Sequence, residues 1–237
     1  MVTLGNGATR SVQDQIASMG SNLLIVRPGQ RMGPPEGAPN FKLLDVEAIQ
    51  TQVSAASAVA PVSSKSVTAV RMAKNWTTSV TGTSNAYFRA GNWRLADGRN
   101  FSEAEERAGK AVCVIGETVR RELFGSQNPV GDQIRIKQFA CEVIGLLAGK
   151  GQSYFGRAHD DTIVMPLRTL QRRLTGTQDV NSVMVSVKDG MSTDTAKEQV
   201  ALLMRERRKI GDNENDNFMV MDTRQIADAL TSTTTVM

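Results

Sequence analysis

The sequence predicts an α+β fold in two parts, one built from both chain ends and one inserted between them. Three observations carry this. Strand and helix signals alternate near the start and again near the end of the chain. The middle is rich in strands, with Ala111–Ile115, the alternating Gln133–Lys137 and Phe139–Leu147 close together, after the alternating runs Ser63–Ala73 and Asn75–Thr83. The stretch from Trp93 to Gly151 also reads as a self-contained unit. In it, the apolar run Ala111–Ile115 stops at Gly116, and Thr118–Phe124 follows with Val119, Leu123 and Phe124 on one helical face. Asn128–Pro129 and Val130–Gly131 then mark a turn before Gln133–Lys137 and a second strand, Phe139–Leu147.

In chain order, Val2–Met19 predicts an amphipathic helix, because Leu4, Ala8, Val12, Ile16 and Met19 recur at helical spacing. Asn22–Arg27 is a strand stopped by Pro28–Gly29, and the Pro- and Gly-rich Gln30–Asn40 is a loop. Leu44–Gln52 is a helix with Asp45 as its N-cap and Val46, Ile49 and Val53 on one face. A hairpin turn is expected at Ala73–Lys74–Asn75, and Trp76 is expected to cap a sheet face. Ser84–Asn92 is a helical turn, and Ser102 with Glu105 three residues on is the signature of a capping box. Gly149–Thr162 is a polar loop. Thr162–Met165 is a strand ended by Pro166, Leu167–Leu174 a helix and Val180–Val187 a strand. Ser192 or Thr193 caps the helix Asp194–Lys209, whose apolar stripe is Ala196, Val200, Leu203 and Met204. Asp212–Asn217 is an acidic loop, Phe218–Met221 a strand and Thr223–Met237 a last helix.

Composition bounds the function. The 237 residues allow one large or two small domains with an ample core. Apolar content of 40% and charged content of 22% are those of a soluble globular chain. A net charge of +4, with acids and bases interleaved, gives no reason to expect nucleic acid. The basic run Arg205–Lys209 reads as a solvated helix end. The sequence has no apolar run of membrane-spanning length, and the Met1 segment does not read as a secretory leader. Its two ends read as though cut between membrane helices, with Met1 a start codon placed there.

No catalytic constellation is evident. Glu103, Glu105 and Glu106 read as a helix start rather than an acid/base pair. The only histidine is His159, and His159-Asp160-Asp161 are contiguous, which hinders convergence on one ion. Gly149-Lys150-Gly151 lacks the spacing of a phosphate loop. Cys113 and Cys141 sit in apolar strands, as buried thiols or as a disulfide; spacing does not decide between them. The expectation is therefore a domain with no catalytic residues, no metal and no cofactor. Tyr154 and Phe155 are the candidate partner contacts, the alternative being that they fold back onto the sheet.

Five pieces in order carry a family resemblance. They are Trp93, Leu95, Gly98, Arg99 and Phe101; Val112–Gly116; Leu123–Gly125; Asn128–Gly131; and Phe139 with Val143–Gly145. Outside that stretch, Gly20, Asn22, Pro28 and Gly29, and then Asp161, Thr162, Val164, Pro166, Thr169, Leu174 and Gly176, extend it over almost the whole chain. The pattern resembles the periplasmic domain of MacB-type ABC transporter permeases. The resemblance implies a porter-like α/β subdomain (residues 1–83 with 177–237) and an inserted mixed "sabre" subdomain (84–176). It implies a domain on the periplasmic face of the inner membrane, inside an integral membrane protein that forms a dimer. Its partners would be its own transmembrane segments, an ATPase, a periplasmic adaptor and, through the adaptor, an outer-membrane channel. Cytoplasmic ATP hydrolysis would drive efflux mechanically. Related permeases for lipoprotein release or cell-wall hydrolase signalling, and a soluble ligand-binding module, are the alternatives.

Overall fold

The computed structural model describes residues 22–29, 37–149, 160–222 and 225. The helices expected over 2–19 and 223–237, and much of the loops 30–40 and 149–162, fall outside the described residues. The fold is α+β. The chain divides into two units, residues 1–60 with 90–92 and 180–237, and residues 61–89 with 93–179.

In the first unit, strand β1 (Leu23–Pro28) is central. It pairs antiparallel with β9 (Ser182–Val187) on one side and β10 (Phe218–Asp222) on the other. Alternation in β1 sends Leu24 and Val26 into the core at 0% exposure. Helix α1 (Leu43–Gln52) buries Val46, Ala48 and Ile49. Helix α6 (Thr193–Arg207) packs against α1, β1 and β10 and buries Ala196, Val200, Leu203 and Met204, the stripe its spacing predicts. Ser192 caps α6 by accepting the Asp194 N–H.

The cap of α1 differs from expectation. Lys42, in extended conformation, is the N-cap, and Asp45 is its third helical residue. The Asp45 carboxylate reaches back to accept the Lys42 N–H at 2.8 Å. Its other oxygen takes Arg207 Nε at 2.8 Å, joining the end of α6 to the start of α1. Arg208 lies over Phe41 at 4.6 Å and donates to Asn217 Oδ1 and the Pro39 carbonyl. Burial lowers its pKa.

In the second unit the strand path closes on itself. Strand β2 (Ala56–Arg71), which starts in the first unit, forms a hairpin with β3 (Lys74–Thr83). Arg71 pairs with Lys74, so the turn is the two residues Met72–Ala73, one position earlier than expected. Met72 takes φ 53°, a left-handed value that the sequence does not advertise because no glycine or asparagine is there. β3 runs parallel to β8 (Thr162–Pro166), and β8 antiparallel to β5 (Val112–Ile115). β5 runs parallel to β7 (Phe139–Leu147), which pairs antiparallel with β4 (Leu95–Gly98) and β6 (Gln133–Ile136). β6 returns to β2 through Ala69↔Ile136 and Val70↔Arg135. Residues 61–83, expected with the chain ends, thus have their strand partners β8 and β6 in the inserted unit.

Both sheet faces are covered. One core gathers Val67, Val80, Ile115, Ile134, Met165 and the two cysteines under helix α4 (Glu117–Phe124), with Trp76 packed against it. The other gathers Phe88 of helix α2 (Ala86–Ala90), Phe101 just before helix α3 (Glu103–Ala108), Val112, Val114, Ile144 and Val164. Helix α5 (Leu167–Leu170) continues as a π-helical turn, Gln171–Thr175, where the sequence suggests one regular helix.

Candidate functional site

Most of the described motif residues lie in the inserted unit, and several have a clear geometric task. Gly98 takes φ 75°, and a Cβ there would stand 2.3 Å from the Ile144 carbonyl oxygen. That close approach lets the Arg99 N–H donate to the same oxygen at 2.9 Å. A Cβ on Gly145 would meet the Arg99 carbonyl oxygen at 2.6 Å, and one on Gly116 the Asp160 carbonyl oxygen at 2.1 Å. These three glycines are where backbones touch.

The charged motif residue is Arg99. Its guanidinium forks onto Glu105, at 2.8 and 2.9 Å. Glu105 is also the second half of the capping box. Its Oε2 accepts the Ser102 N–H at 2.8 Å, while Ser102 Oγ accepts the Glu105 N–H at 3.2 Å. The hydrogen bond from Arg99, helped by the Ser102 N–H, pulls the Glu105 pKa down to about 2 against the cost of burial. Glu106 is opposite in sign: burial raises its pKa, although it accepts the Asn85 N–H at 2.7 Å. Glu103 is exposed and pairs with Arg107 at 3.6 Å. The three carboxylates therefore serve three separate structural contacts, and among the described residues no group of His, Cys, Asp and Glu is arranged to hold a metal.

Aromatic motif residues pin the same corner. Phe101 is 2% exposed and meets Phe88 edge-on at 5.4 Å, and Trp93 stacks on Tyr87 at 6.3 Å. In Asn128–Gly131 the Asn128 side chain works at both ends. Its Oδ1 accepts the Val130 N–H at 2.9 Å and its Nδ2 donates to Asp97 at 2.6 Å. Gly131, at φ 91°, then sends its N–H to the Val143 carbonyl at 2.8 Å.

Arg71 is the residue that sequence reasoning missed. It lies 4.3 Å over the Phe124 ring and donates to Asp132 from Nη2 at 2.6 Å and Nε at 2.8 Å. That clamp holds the hairpin whose tip displays Met72, 85% exposed. No local signal could reveal it, since Asp132 is 61 positions away.

Tyr154, Phe155, Lys150 and His159 lie outside the described residues. Asp160 is buried, and Asp161 accepts the Trp76 indole N–H at 2.8 Å, which ties the end of that loop to β3. Cys113 and Cys141 are buried free thiols.

Comparisons with known proteins identify the family and the fold. The family model of the MacB-like periplasmic core domain matches residues 1–203. Relatives named macrolide export ATP-binding/permease protein MacB include one from Bdellovibrio bacteriovorus, 36% identical over 98% of this chain and 37% of its own length. Another, from Chlorobium luteolum, is 34% identical over 100% of this chain and 36% of its own length. The chain therefore spans about a third of the length of the curated relatives it matches. Among solved structures, the periplasmic region of MacB from Actinobacillus actinomycetemcomitans superposes with a TM-score of 0.76 at 20% identity, covering 96% of this chain and 99% of that one. The extracellular domain of the noncanonic ABC-type transporter YknZ from Gram-positive bacteria gives 0.68 at 19% identity, covering 85% and 100%. The chain belongs to the family of MacB-like periplasmic core domains and is an extracytoplasmic domain.

Proposed function

We propose that this chain is the periplasmic part of an ABC exporter permease and works mechanically. In this reading the intact protein has transmembrane segments and a fused or recruited ATPase, and it acts as a dimer. ATP hydrolysis on the cytoplasmic side moves the membrane segments, and the porter-like subdomain at the chain ends passes that movement to the inserted, sabre-like one. A periplasmic adaptor docks on the domain and leads to an outer-membrane channel. The observation that carries the reading is that the charged, polar and close-packed glycine motif residues Arg99, Asn128, Gly98, Gly116 and Gly145 are committed to shape. Gly98, Gly116 and Gly145 make backbone contacts, Arg99 is held by Glu105, and Asn128 ties its turn to Asp97. A lever needs a fixed shape and no reactive group.

Tyr154 and Phe155 are the proposed adaptor contacts, offered from the sequence because exposed aromatics anchor interfaces. The test is a Tyr154→Ala/Phe155→Ala double variant titrated with the cognate adaptor. The expected result is adaptor affinity reduced about tenfold or more, or about 1.4 kcal/mol, with thermal stability unchanged. Unaltered affinity removes these two residues from the interface.

A further inference from the structure

Cys113 and Cys141 are two core residues that the mechanical reading does not use. They stand on neighbouring parallel strands, β5 and β7, with side chains in the same core. Both are 0% exposed. The Cys113 thiol donates to the Glu142 carbonyl at 3.5 Å, and Cys141 is near enough to raise its pKa. The domain is extracytoplasmic, and disulfide-forming oxidants act in that compartment.

Register decides whether the pair can bridge. Cys113 stands opposite Val143, so Cys141 is offset from it by two residues, back towards the start of the neighbouring strand. One strand across is about 4.8 Å and two residues along about 6.6 Å, which puts the Cα atoms about 8 Å apart. Disulfides span about 4.4–6.8 Å between Cα atoms, and pairs beyond about 7 Å bridge only if the backbone moves. Movement is opposed on both flanks of β7, by β5 through Val112↔Glu142 and by β6 through Ile134↔Cys141.

We propose that Cys113 and Cys141 form a sealed dithiol that the native sheet holds just out of bridging reach, so that oxidation is possible only when β5 and β7 separate and then traps the chain outside its native fold. The chemistry is thiol–disulfide exchange with a disulfide donor. The thiolate of one cysteine attacks the donor and expels one donor thiol, giving a mixed disulfide. The second cysteine attacks the mixed disulfide and expels the other donor thiol. The chain loses two electrons and two protons, and the donor gains them as two thiols. In the native state the step is blocked twice. The donor cannot reach either sulfur, and burial, with the neighbouring thiol, raises the Cys113 pKa so that little thiolate forms. Once made in the unfolded chain, the bridge joins residues 28 positions apart and forbids the Cys113↔Val143 register.

The experiment uses the 237-residue chain with oxidised glutathione as donor, read by intact mass after alkylation and by circular dichroism. In native buffer both thiols stay reduced, reacting at least about 100-fold more slowly than in guanidinium, because access needs sub-global opening. Chain oxidised in guanidinium and then diluted fails to regain the native spectrum until a reductant is added. A Cys113→Ala/Cys141→Ala chain, which has no thiol, refolds after the same treatment whether or not it met the oxidant. Two outcomes overturn the proposal. One is native protein that already lacks the mass of two hydrogens. The other is oxidised chain that refolds to the native spectrum as well as reduced chain does.

Discussion

Gly116→Ala isolates the idea that Gly98, Gly116 and Gly145 are backbone contact points. Gly116 has φ −83° and ψ 165°, which alanine adopts without strain. Conformation alone therefore predicts a slight gain, about 0.4–1 kcal/mol, from the stiffer unfolded chain. Space predicts the reverse. The new Cβ would lie 2.1 Å from the Asp160 carbonyl oxygen and 2.7 Å from its carbon. Reaching ordinary contact needs a movement of about 1 Å or more, and both sides are backbone. The movement disturbs Gly116 N–H→Thr162 O at 2.9 Å and Thr118 N–H→Asp160 O at 3.2 Å. Two weakened hydrogen bonds cost about 0.5–1.5 kcal/mol each, and overpacking about 1–3 kcal/mol. The net expectation is a loss of about 2–4 kcal/mol, or about 5–15 °C in Tm for a chain of this size. Urea unfolding and thermal circular dichroism measure it. Gly131→Ala is the control. Nothing lies within 4 Å of a Cβ there, but φ is 91°, so it reports conformational strain alone, about 1–2 kcal/mol. If Gly116→Ala is within about 0.5 kcal/mol of the parent, or costs less than Gly131→Ala, close approach is not the reason for glycine at 116.

Two further predictions follow from the ion pairs. Glu105 has a pKa of about 2 when folded against 4.5 as its ordinary value; the unfolded chain therefore binds the proton more readily. Its contribution is complete above about pH 4.5 and is lost as pH falls towards 2. Because Arg99 is 55% exposed, solvent screening limits that contribution to about 1–2 kcal/mol. Glu105→Gln should remove it at pH 7 and flatten the acid limb of stability between pH 5 and 2, by about the same amount; an unchanged acid limb would show that the pair contributes nothing. Arg71→Ala removes a 14% exposed guanidinium from both Asp132 and the Phe124 ring. It should cost about 2–3 kcal/mol in urea unfolding, with Arg71→Lys recovering less than half, since an ammonium cannot fork onto one carboxylate while lying flat on a ring. Full recovery by lysine would refute the stacking role.

Legibility in the sequence followed the range of the interaction. The Ser102–Glu105 box, the α6 stripe and the Asn128–Gly131 turn are local, with partners within a few positions, and each stands as the spacing predicts. Asp45 shows the limit of the local rules. Both a cap and a third helical residue present an acid near the helix start, and only the extended backbone at Lys42 separates them. The turn at Met72 was misplaced because its left-handed residue carries no glycine or asparagine signal; the strain is held by tertiary pairing, including the Arg71 clamp and the β2–β6 bridge. β6 itself read correctly as a strand, yet nothing in QIRIK says that it closes the strand path onto β2.

The glycines connect these two ranges. Gly98, Gly116 and Gly145 could be spotted as punctuation, but their partners, Ile144, Asp160 and Arg99, lie 46, 44 and 46 positions away. They are local in the sequence and long-range in purpose. Gly98 and Gly145 form a reciprocal pair, since a Cβ on either would strike the backbone beside the other. The β4–β7 contact is thus set by two missing methyl groups rather than by any attractive side chain. Arg99, next to Gly98, then fixes the direction in which the chain leaves that contact by pairing with Glu105 at the start of α3. A motif read as G-R-x-F is on this view one device: a contact point, a strut and an anchor, with Phe101 as the anchor in the core. That order explains why the spacing within the motif is tight while its composition contains no reactive group.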